Sequence, residues 1–181
     1  TYYAITTHQF GKVIPATGKF VPIAPDPAVP PLSWPSGLAF DNERRKVILV
    51  GRSASYSYNP ETGEWRLAGN LDRLGLVALA YNPETATFYG LGEEHDPQHG
   101  PQVARIIELN SALAILRNVS LWSPIPSGDV LHQNVQVAIS DGQVVILANA
   151  APNRAPGGSA PVPEFHMYAA DPRTGEVTLI R

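Results

Sequence analysis

The densest grouping of chemically able side chains in this sequence is Gly92-Glu93-Glu94-His95-Asp96-Pro97-Gln98-His99, which sets two imidazoles and three carboxylates within seven residues. Imidazole and carboxylate together suit zinc or another borderline divalent metal. One reading is a metal site built from His95, His99, Glu93 and a further ligand such as His132. Glu93 or Glu94 would then serve as base in a metal-assisted hydrolase or lyase. The competing reading is a solvated polar loop: the His-x-x-x-His spacing suits one metal only on a helix, and Pro97 stands against a helix there. A divalent, zinc-type metal is the only cofactor these residues suggest.

Two tryptophans form a second candidate set. Leu32-Ser33-Trp34-Pro35-Ser36-Gly37 is partly echoed by Leu121-Trp122-Ser123-Pro124-Ile125-Pro126-Ser127-Gly128. An exposed Trp can stack on a sugar ring or receive a partner's apolar anchor. Alternatively, each Trp seals a gap between neighbouring elements. Trp34, Trp122, His132, Arg52 and Arg73 are the candidate ligand-binding residues. Other catalytic patterns are missing: there is no Gly-x-Ser-x-Gly elbow, His-Glu-x-x-His, phosphate-binding glycine loop or dinucleotide fingerprint. No residue set therefore argues for a metal-free catalytic centre.

These residues hang on a repeat. Ile14-Pro15-Ala16-Thr17-Gly18, Asn59-Pro60-Glu61-Thr62-Gly63 and Asp171-Pro172-Arg173-Thr174-Gly175 share the form x-Pro-x-Thr-Gly, and Asn82-Pro83-Glu84-Thr85-Ala86 nearly matches it. Pro presets the second turn residue, Asn or Asp caps the backbone, and Gly supplies a left-handed residue, so these are hairpin turns. Short apolar runs such as Lys46 to Val50, Val77 to Tyr81 and Gln143 to Leu147 flank them and read as strands. Because these runs are continuous and do not alternate, both faces of each sheet should be covered.

Three segments superimpose as antiparallel A-B-C-D units, with strand-A centres at Leu38, Leu79 and Val137 lying 41 and then 58 residues apart. The N-terminal stretch fits the same template without its first strand. Four-stranded units at this period predict an all-β fold, a β-propeller of about four blades spanning approximately 1–24, 37–68, 76–119 and 135–181. A compact ring and an arc of a larger propeller are both open. In either case the B-C loops and the D-to-A connections share one end of the propeller. His8, His95, His99, His132, His166, Trp34, Trp122, Arg52 and Arg73 all fall at or near that end.

Tyr58-Asn59-Pro60-Glu61-Thr62-Gly63-Glu64-Trp65, with six residues between Tyr and Trp, resembles a kelch repeat. The corresponding pairs elsewhere are Val13 with Phe20, Leu109 with Leu116 and Ala170 with Val177, and the diglycine that ends the family's second strand is replaced by Gly51-Arg52, Gly90-Leu91-Gly92 and Ala148-Asn149. The resemblance implies a propeller with Trp65 in its core. It transfers no partner or activity, and the absence of Cys removes the Tyr-Cys radical chemistry of some kelch-type oxidases.

Composition bounds the function classes. The 181 residues carry 13 basic and 16 acidic side chains, a net charge of -3 and no cysteine. Disulfides, thiolate metal sites and a cysteine nucleophile are excluded. No basic stripe offers a footprint for nucleic acid, and no apolar run reaches the roughly 20 residues that span a bilayer. The chain starts at Thr1, which leaves room for a removed upstream segment, and a secreted or periplasmic setting is favoured over a cytoplasmic one. The expected function is a non-catalytic binding or assembly module. Its loop end would recognise a protein or glycan, and another chain would complete or extend the propeller.

Overall fold

The computed structural model describes residues 2–6, 9–24, 35–51, 54–68, 71, 74–94, 103–121, 135–150 and 164–180. They form an all-β structure of fifteen strands in four antiparallel sheets arranged as the blades of a propeller. The first blade has three strands, β1 (Tyr2–Ile5), β2 (Phe10–Ile14) and β3 (Lys19–Pro22). The second is β4 (Pro35–Asp41), β5 (Lys46–Gly51), β6 (Ser55–Tyr58) and β7 (Trp65–Leu67). The third is β8 (Leu76–Asn82), β9 (Thr87–Glu94), β10 (Val103–Leu109) and β11 (Ile115–Ser120). The fourth is β12 (Gln136–Ser140), β13 (Gln143–Ala150), β14 (Glu164–Ala170) and β15 (Val177–Leu179). Within each sheet, spatial order follows chain order, so each strand pairs with its sequence neighbours.

Local chemistry makes the hairpins. In the Asn59 turn the side-chain Oδ1 accepts from the Glu61 N–H at 2.9 Å, and Gly63 adopts φ 74° while its N–H donates to the Asn59 carbonyl at 2.8 Å. Asp171 repeats this with Arg173 at 2.6 Å, and Gly175 takes φ 77°. The tight turns between the first two strands are capped in a related way. Asp41, 2% exposed, accepts from the N–H groups of Glu43 and Arg44, each at 3.0 Å. Asn82 stands at the same place in the third blade and accepts from Glu84 at 3.0 Å.

Three apolar cores hold the blades together, one at each successive interface. Phe10 of the first blade packs with Val47, Leu49, Tyr56, Tyr58 and Trp65 of the second. Ile48 and Val50, on the opposite face of β5, pack against Leu79, Phe88, Ile107 and Leu109 of the third blade. Tyr89, Leu91 and Ile106 then meet Val144, Ile146 and Tyr168 of the fourth. Strand β5 thus contributes to two cores from alternate residues, which is why its sequence is apolar throughout. Among the described residues, no apolar core joins the first blade to the fourth. Polar ties cross the blades as well. The Arg44 guanidinium donates to the Ser111 carbonyl at 2.7 Å, and the Ser36 hydroxyl donates to the Leu76 carbonyl at 2.6 Å.

Candidate functional site

Strand order decides which end each connection occupies. The links after the second and fourth strands of a blade lie at one end, and the tight turns lie at the other. Trp34, Arg52, Arg73, His95, His99, Trp122 and His132 lie outside the described residues. Glu93 is placed by its backbone alone, on β9 opposite Ala104. Of the histidines, His166 is described: it sits on β14 with its Nδ1 3.4 Å from the Tyr168 hydroxyl. Among the described residues, no three His, Asp or Glu side chains converge on a space for a metal ion.

The described geometry draws attention to three other places. The first is a cavity of about 450 Å³ between the first two blades, lined by Tyr2, Tyr3, Phe40, Val47 and Pro60, with Arg45 and Glu61 at its rim. Tyr2 is 66% exposed and Phe40 38% exposed, so the aromatic wall is open to solvent. The Arg45 Nε and Glu61 Oε1 lie 2.6 Å apart, but both side chains are well exposed, so the pair adds little stability. Burial, with the Tyr58 phenol second, pushes the Tyr3 hydroxyl above the ordinary tyrosine range.

The second place is the propeller axis. A cavity of about 280 Å³ is bordered by residues from all four innermost strands, including Ile5, Gly37, Ala78 and Gln136. Gly37 is required by this crowding: a Cβ there would sit 2.9 Å from the Leu79 nitrogen. The axial wall mixes large apolar side chains such as Tyr3, Ile5, Leu38 and Leu79 with the small Gly37 and Ala78 and the polar Ser36 and Gln136, and its lining holds no acid-base pair.

The third place is the outward face of the fourth blade. Leu147 and Met167 pair across β13 and β14, as Leu91 and Ile106 pair across β9 and β10. In the third blade those positions are sealed by the next blade, leaving Leu91 0% and Ile106 1% exposed. In the fourth blade Met167 is 39% exposed, and its neighbours Phe165 and Ile180 are 49% and 47% exposed. No signal in the fourth-blade strands themselves separates them from strands sealed on both sides, since Val144-Val145-Ile146-Leu147 reads like Val47-Ile48-Leu49-Val50.

Comparison with known proteins yields fold but not family. No family model and no curated protein matches the sequence. Among solved structures the chain is similar to one from the crystal structure of a nidogen/laminin complex, at 14% identity and a TM-score of 0.51, over 94% of this chain and 66% of that one. A chain of hydrazine synthase from Kuenenia stuttgartiensis aligns at 12% identity and a TM-score of 0.49, over 96% of this chain and 44% of that one. The present chain therefore spans about two thirds of the first neighbour's length, and the likeness is one of propeller fold.

Proposed function

We propose that this chain is a non-catalytic binding and assembly module of the propeller class. It recognises a protein or glycan partner through its loop end, and another chain covers its open blades. The observation that carries this reading is the uncovered apolar face around Leu147, Phe165, Met167 and Ile180. These positions are built as a blade interface yet have no blade against them among the described residues. Monomeric proteins seldom expose contiguous apolar patches of this kind. The neighbour from the nidogen/laminin complex supports the choice of class, since a chain of shared fold occurs there in a complex between proteins. Trp34, Trp122, Arg52, Arg73 and His132 are the loop-end residues assigned to partner contact. Within the propellers, the packing of Tyr58 against Trp65 is in keeping with a kelch-like repeat, their ring centroids 5.0 Å apart and their planes tilted by 48° in the core.

Sedimentation velocity over a range of concentrations tests the assembly. The native chain should sediment as species heavier than its 19.5 kDa monomer. The double variant Phe165→Glu, Met167→Glu should remain monomeric with an unchanged far-ultraviolet spectrum. A native chain that stays monomeric at every concentration and binds no hydrophobic dye would overturn the reading.

A further inference from the structure

We draw no further inference here: the strongest candidate, the cavity of about 450 Å³ between the first two blades with its aromatic wall of Tyr2, Tyr3 and Phe40, borders the inner side of β1, and nothing among the described residues shows what covers that side.

Discussion

The ring of Phe10 in the first blade meets the ring of Trp65 in the second edge to face, with centroids 5.5 Å apart and planes at 84°. Phe10 is 2% exposed and Trp65 6% exposed, and Tyr3 stacks on Phe10 at 5.6 Å. This aromatic cluster is the main apolar bond between the three-stranded blade and its neighbour. Trp65→Ala should lower unfolding free energy by about 3–5 kcal/mol, through lost burial and the cavity left behind. Urea denaturation followed by tyrosine fluorescence would measure it. Trp65→Phe, which keeps a ring in the cluster, should cost clearly less.

Crowding at the axis makes a second expectation. At Gly37 an added Cβ would also lie 3.1 Å from the Ala78 carbonyl carbon, and backbone cannot yield as a flexible side chain does. Gly37→Ala should destabilise by about 1–3 kcal/mol, with Gly37→Val worse. A melting temperature unchanged by Gly37→Ala would show that β4 and β8 are less closely apposed than described.

Alkaline pH should weaken the fold. Tyr3, Tyr56, Tyr81 and Tyr89 are all raised above the ordinary tyrosine value of 10.0, in each case first by burial. For Tyr89 the next cause is the charge of Glu108, whose Oε1 accepts its hydroxyl at 3.2 Å. For Tyr81 it is the charge of Asp41, followed by that of Glu43. A group whose folded value is raised keeps its proton longer when folded. Its stabilising contribution is therefore complete below the unfolded value of 10.0 and is lost as pH rises through the folded value. Titration of tyrosinate absorbance should lag behind that of the unfolded chain, and stability should fall as pH rises above 10.0. Coincident titrations of folded and unfolded chain would contradict it.

Metal content separates the binding module from the hydrolase or lyase. Protein purified without a histidine tag should contain no stoichiometric divalent metal, and a chelator should leave its thermal midpoint in place. One equivalent of zinc, lost in the double variant His95→Ala, His99→Ala, would instead establish the metal site.

The features most legible in the sequence were those whose causes are local. The Asn59 and Asp171 turns depend on a side-chain oxygen, a proline and a glycine within five residues, and all of these act within the turn itself. Strand order and the missing first strand of the first blade followed from the spacing of such turns. Burial was not legible in the same way. Val145 and Leu147 resemble Ile48 and Val50 in type, yet only the latter pair is buried, because a third blade follows the second. That difference depends on whether a blade stands beside the strand, and no residue within the strand encodes it.

The three separate cores have a mechanical consequence. Among the described residues each ties a blade only to its neighbour in the chain, and no apolar core spans more than two blades. A load applied between Tyr2 and Ile180 would be carried by interfaces in series, each yielding independently of the others. Stretched in this way, the molecule should lengthen in discrete steps of one blade each, and the weakest interface should set the force of the first.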